Sequence, residues 1–94
     1  MKLSIIIVSW NTVDLLAQCL ESIYANPPDN DFEVWVVDNA STDPSVQMVR
    51  QRFPQVRLLA NKTNLGFAGA NNQAIRQSAG KYVLLLNPDT EVKQ

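Results

Sequence analysis

Two aspartates carry most of the chemistry this 94-residue sequence can offer. Asp38 stands in Asp38-Asn39-Ala40-Ser41 and Asp89 in Asn87-Pro88-Asp89-Thr90, and each cluster directly follows an apolar run. Carboxylates accept hydrogen bonds and take hard cations, the chemistry open to this sequence. Two further polar clusters follow apolar runs in the same way, Ser9-Trp10-Asn11 and Asn61-Lys62-Thr63-Asn64. There is no histidine, which removes the Ser-His-Asp triad, the Cys-His dyad, His-ligated zinc and histidine general-base catalysis together. Any catalysis must use carboxylates. The single Cys19 lies among Leu16, Leu20 and Ile23 at helical spacing and reads as a core thiol; alone, it cannot form an internal disulfide.

The segments that must position these residues alternate regularly. Leu3 to Val8 is a nearly unbroken β-branched run, the pattern of a strand covered on both faces in a parallel sheet. Thr12 to Ala25 carries Val13, Leu16, Cys19, Leu20, Ile23 and Tyr24 at helical spacing, with Asn11 as the N-cap and Asp14 near the positive end. Phe32 to Val37 reads as a second strand ending at Asp38. Pro44 reads as a first-turn proline of a helix running through Val46, Met48, Val49 and Phe53. Val56 to Ala60 makes a third strand. A third helix from about Phe67 to Ser78 turns Phe67, Ala70, Ala74 and Ile75 inward, Gly80 closes it, and Lys81 to Leu86 is the last strand. The order β-α-β-α-β-α-β with short connections predicts an α/β fold, a parallel sheet with helices on both faces. Ligands of such sheets bind beyond the carboxyl ends of the strands, which is where all four polar clusters fall. Trp10 and Trp35, flanking strands, read as packing residues.

Composition narrows the classes further. With 46% hydrophobic and 18% charged residues the chain makes one modest core and one domain at most, with no case for disorder. Eight Lys and Arg against nine Asp and Glu leave a formal charge of −1, so no cationic field exists to collect a nucleic acid. The opening Met1 to Val8 is too short for a signal peptide or a membrane span, which gives a cytoplasmic protein, or one at the cytoplasmic face of the membrane, as the default. Only three glycines are present, Gly66, Gly69 and Gly80, and they form neither a G-x-G-x-x-G turn after the first strand nor a Walker-type loop. Dinucleotide-dependent dehydrogenases and P-loop NTPases drop out.

Val8-Ser9-Trp10-Asn11, Val36-Val37-Asp38-Asn39-Ala40-Ser41-Thr42-Asp43, Asn64-Leu65-Gly66-Phe67-Ala68-Gly69-Ala70-Asn71-Asn72 and Leu85-Leu86-Asn87-Pro88-Asp89-Thr90 resemble the four successive signatures of family 2 glycosyltransferases, in particular their rhamnosyltransferase-like branch. The resemblance spans the chain. It implies a GT-A, Rossmann-like nucleotide-diphospho-sugar fold, a UDP- or dTDP-sugar donor, Mg2+ or Mn2+, and inverting transfer to a saccharide or lipid-linked acceptor in polysaccharide assembly. By that resemblance Asp38 accepts a hydrogen bond from the donor base, Ser9, Asn11, Asn64, Gly66 and Asn71 line the nucleotide site, and Asp89 with Asn87 faces the metal. Asn87 stands where an aspartate of the family's D-x-D motif is common. Other roles stay open beside these: N-cap for Asn11, a turn residue for Asp38, an Asx-turn for Asp89. Lys62 reads as a solvated loop lysine.

Family members carry the acceptor site and the catalytic base beyond the D-x-D strand, so the base is expected beyond Gln94, and residues 1–94 are expected to be the donor-binding half of a longer enzyme, inactive by itself. Glu91 is not at the position of that base. Ending the sheet at Leu86 exposes an edge through which copies can associate. The competing class is a noncatalytic α/β interaction module that keeps the strand-end sequences; a nucleotidyltransferase of related fold would need a glycine-rich loop after the first strand, which is missing.

Overall fold

The computed structural model describes residues 3–28 and 31–89. Thr90, Glu91 and Gln94 therefore lie outside the described residues, and so does the catalytic base expected beyond Gln94. The elements are β1 (Leu3–Ser9), α1 (Val13–Ala25), β2 (Phe32–Asn39), α2 (Ser45–Arg52), β3 (Arg57–Asn61), α3 (Gly66–Gln77) and β4 (Tyr82–Leu86). All pairings are parallel and the strand order is β3-β2-β1-β4. The expected α/β order holds, with boundaries moved by a residue or two.

Because alternate residues of a strand face opposite sides, the unbroken apolar runs feed two cores. Ile5, Ile7, Val34 and Val36 meet Leu16, Cys19, Leu20 and Ile23 of α1 and Val49 of α2 on one face. Ile6, Trp35 and Val37 meet Ala70 and Ala74 of α3 on the other. Each large aliphatic side chain fully buried in this way contributes about 1.5–3 kcal/mol. Helix α3 approaches the sheet through two alanines, and that close approach leaves Phe67 and Ile75 on its flank, 56% and 40% exposed, where the periodicity predicts them inside. Trp35 is buried as expected, whereas Trp10 is 57% exposed because β1 ends one residue before it.

The end of the sheet opposite the strand tips is tied by one buried carboxylate. Ser4 Oγ donates to Glu33 (2.6 Å), the Ala79 amide donates to the same carboxylate (2.7 Å), and the Gly80 amide donates back to Ser4 Oγ (2.8 Å). Arg57 on β3 completes the set at 3.1 Å. Four strands are thus held through Glu33, and β4 enters the sheet at a fixed height. Gly80 is required there, since a Cβ would fall 2.3 Å from Ser4 Oγ and 2.5 Å from Ser4 N. Burial alone would raise the Glu33 pKa, but the Ser4 and Ala79 hydrogen bonds and the Arg57 guanidinium outweigh it and hold the carboxyl below its ordinary value.

A lowered native-state pKa means stability that is present above the unfolded-state value and lost as pH falls through the native one. We therefore expect Glu33→Ala to lose on the order of 2–3 kcal/mol at neutral pH, and the loss to shrink as denaturation is repeated below pH 4–5, roughly the ordinary carboxylate range. Urea melts at two pH values check this; a pH-independent difference would contradict it.

Candidate functional site

Parallel pairing puts the carboxyl ends of all four strands on one rim, with Ser9 directly beside Asp38 in the register of β1 and β2. Connections run from β1 to β2 to β3 on one side and return to β4 on the other, so the strand order reverses between β1 and β4. That reversal point is where open parallel sheets leave a crevice. A groove of about 290 Å3 lies there, lined by Thr12, Leu15, Asn87, Pro88 and Asp89.

At the end of β1, Ser9 is buried and its hydroxyl shares a 2.9 Å hydrogen bond with Thr12 Oγ1. Asn11 adopts a left-handed backbone (φ 52°) and is not the N-cap; Thr12 occupies that place and makes no side-chain cap. Instead, Asn11 Oδ1 accepts from the amides of Thr42 (2.7 Å) and Asp43 (3.3 Å), clasping the β1–α1 loop to the β2–α2 loop. The cap of α1 comes from the same neighbour, as the Val13 amide donates to Asp43 Oδ2 (3.1 Å). Asp43 also accepts from the Ser45 amide (3.0 Å) and hydroxyl at the start of α2, so one carboxylate caps two helices. Burial pushes the Asp43 pKa up, but the hydrogen bonds from Ser45 and Val13 outweigh it and hold it below its ordinary value.

At the end of β2, Asp38 is 2% exposed. Its Oδ2 accepts from the Ser41 amide (2.9 Å) and its Oδ1 from the Ser41 hydroxyl (2.6 Å), across Ala40, which is also left-handed (φ 62°). Asn39, which sequence reasoning passes over, faces the other way and is equally buried. It donates to Gly66 O (3.1 Å) and accepts from the Leu65 amide and Asn61 Nδ2 (3.3 Å each), tying the start of α3 to the rim. The signal is its parity: Asn39 continues the face of Trp35 and Val37. Asn64 Oδ1 accepts from the Gly66 amide (2.7 Å), and Gly66 turns the chain into α3 with φ 74°. Asn71 is 5% exposed, and its Nδ2 has no hydrogen-bond partner. Asn87 and Asp89 line the groove, and Asn87 O lies 3.9 Å from Cys19 Sγ. Burial, with the Asp89 charge second, pushes the Cys19 thiol up to about 11, which leaves it protonated and inert.

Ser9, Asn11, Asp38, Asn87 and Asp89 thus share the rim around β1, while Asn64, Gly66 and Asn71 sit at the start of α3 or within it, and of these three Asn39 hydrogen-bonds only to Gly66. Among the described residues no three His, Cys, Asp or Glu side chains are grouped to hold a metal by themselves. Asp89 and Asn87 offer two hard oxygen donors, a set that suits Mg2+ or Mn2+ when phosphate oxygens supply the rest.

Residues 4–94 match the model of glycosyl transferase family 2. The chain is 35% identical over 94 residues to the poly(ribitol-phosphate) beta-glucosyltransferase of Bacillus spizizenii, covering 95% of this chain and 15% of that protein. Among solved structures, Staphylococcus aureus TarS 1–349 in complex with UDP-GlcNAc superposes with a TM-score of 0.82 at 32% identity, over 95% of this chain and 27% of that one. The mannosyltransferase PcManGT from Pyrobaculum calidifontis, in complex with GDP-Man and Mn2+, superposes with a TM-score of 0.81 at 32% identity, over 94% and 27% of the two chains. The chain therefore spans less than a third of the length of each of these relatives.

The clasp predicts two opposite stability effects. Asp43→Ala should lose about 1–2 kcal/mol, as for loss of an N-cap, whereas Ala40→Gly should gain roughly 0.5–1 kcal/mol by relieving the left-handed backbone. Urea denaturation reads both; an Ala40→Gly chain no more stable than wild type would show that the turn is not held left-handed in solution.

Proposed function

The chain belongs to glycosyl transferase family 2, and from that premise we propose that its strand-end rim binds the nucleoside diphosphate of a UDP- or dTDP-sugar, for inverting transfer to a saccharide or lipid-linked acceptor. The observation that carries the proposal is the placement of Asp38 and of Asn87-Pro88-Asp89 on one rim, on either side of Ser9, at the point where the strand order reverses. A carboxylate at the β2 tip suits the imide N–H of uracil or thymine. Asp89 and Asn87 would hold Mg2+ or Mn2+ against the diphosphate, and a bound cation supplies charge neutralisation for the departing nucleoside diphosphate. The N-terminus of α3, opened by Asn64 and Gly66, presents amides on the same side.

Relatives support the donor class: TarS is in complex with UDP-GlcNAc and PcManGT with GDP-Man and Mn2+. The TarS complex supports a uridine donor, PcManGT carries a guanosine one, and none of these relatives is named as a rhamnosyltransferase, so a UDP-sugar is the donor proposed rather than a dTDP-sugar. The poly(ribitol-phosphate) transferases among the relatives support a polymer of that kind as the acceptor class; action at the cytoplasmic face of the membrane rests on the sequence alone. Among the described residues no helix is long and apolar enough to cross a membrane. The part of the transfer proposed for this rim is donor binding, and no described residue is assigned as the general base. Self-association is part of the proposal as well: Tyr82, Val83, Leu84 and Leu85 of the edge strand β4 are each more than 40% exposed, an uncharged run that favours pairing with another strand. Sedimentation at micromolar to millimolar concentration should show a dimer that Leu84→Lys abolishes; a monomer throughout would remove this element.

Calorimetric titration with UDP tests the donor site. Mn2+ should tighten UDP binding, and Asp89→Ala should abolish the metal-dependent gain while leaving the weaker metal-free binding. No saturable signal under any condition would favour a noncatalytic module instead.

A further inference from the structure

The hydroxyl of Ser41 has its hydrogen-bond direction fixed from behind. The Asn11 backbone N–H donates to Ser41 Oγ at 2.9 Å, and because an amide nitrogen can only donate, Oγ is the acceptor in that contact. Its own proton is then free for Asp38 Oδ1, 2.6 Å away, a length typical of a hydroxyl donating to a carboxylate. The Ser41 amide takes Oδ2 at 2.9 Å, so both carboxylate oxygens are pinned by one residue. A carboxylate has about four lone-pair sites, and two remain. Asp38 is therefore an acceptor-only group in a fixed orientation, 2% exposed, at the tip of β2.

We propose that Ser41 is a positioning residue that makes Asp38 selective for a base with a ring N–H donor. This rests on the nucleotide-binding reading of the rim given above. Uracil and thymine present a protonated ring nitrogen to such an acceptor. Cytosine presents a bare nitrogen at the same place, and an acceptor set against the carboxylate in a buried site is repelled and goes without a partner. Discrimination of this kind requires that the carboxylate not rotate away, and the two Ser41 hydrogen bonds oppose that rotation. The left-handed backbone at Asn11 and Ala40, on either side of the relay, is consistent with a turn whose geometry is set by what it must hold.

The test compares UDP with CDP on the full chain. Wild type should bind UDP more tightly than CDP, Ser41→Ala should narrow that ratio by about ten-fold, the effect of losing one charge-assisted hydrogen bond, and Ser41→Thr should restore it. A variant that weakens both nucleotides equally, leaving the ratio intact, would overturn the proposal, because a purely structural role predicts that result. The Asp38 χ1 rotamer, measured by NMR couplings without nucleotide, separates the two levels. It should be single in wild type and Ser41→Thr and averaged in Ser41→Ala. If Asp38 stays in one rotamer in Ser41→Ala, the positioning role fails whatever binds; if the rotamer averages yet wild type binds neither nucleotide, the positioning contact stands, and the donor-site reading and the selectivity built on it fall. Should Ser41→Ala not fold, Ser41→Cys, with a weaker donor of similar shape, gives the same ratio measurement.

Discussion

Parallel hydrogen bonding of β1 on both of its edges is the constraint on which everything else depends. With β2 on one side and β4 on the other, the chain must reverse direction across β1, and the tips of all strands must face the same way. Residues as far apart in sequence as Ser9, Asp38 and Asp89 become neighbours on one rim for that reason alone. The pairing is made stable by two apolar faces on each central strand, one against α1 and α2 and one against α3. The Glu33 contacts at the opposite end fix where β4 enters the sheet, and hence how far along the rim Asp89 emerges.

The rim is rigid for a different reason than the core is. Its loops hold each other through side-chain-to-amide hydrogen bonds: Asn11 to Thr42 and Asp43, Asp43 to Val13 and Ser45, Asn39 to Leu65 and Gly66. Nearly all of these bonds satisfy a helix-terminal or turn amide that would otherwise need water. The result is a set of strand tips whose remaining acceptors and exposed side chains are available to a ligand, with little freedom left in the backbone that carries them. Groups already oriented in this way recognise a ligand at a lower entropic cost than mobile ones.

Much of this is legible in the sequence, and what is not has a common cause. Runs such as Leu3 to Val8 announce a doubly covered strand because the period of the strand shows through directly, and the four polar clusters fall at strand ends because loops must begin there. Asn11 reads as an N-cap because a cap is a local pattern, whereas its actual partners lie more than 30 residues away on another loop. The same holds for the Val13 cap supplied by Asp43 and for the placement of Asn39. Phe67 and Ile75 fit the helical period but not the fold, since α3 docks through Ala70 and Ala74 and the sheet beneath it sets which flank is covered. Long-range hydrogen bonds leave no periodicity for a reader to find.

Donor binding requires that a nucleoside diphosphate occupy the rim around β1. Amide chemical-shift mapping of the chain with UDP and Mn2+ tests that most directly. The perturbed amides should cluster at residues 9–12, 38–43 and 87–89, with the start of α3 following, while α2 and the Glu33 end of the sheet stay unchanged. Perturbations scattered over the surface, or confined to the face opposite the strand tips, would contradict it.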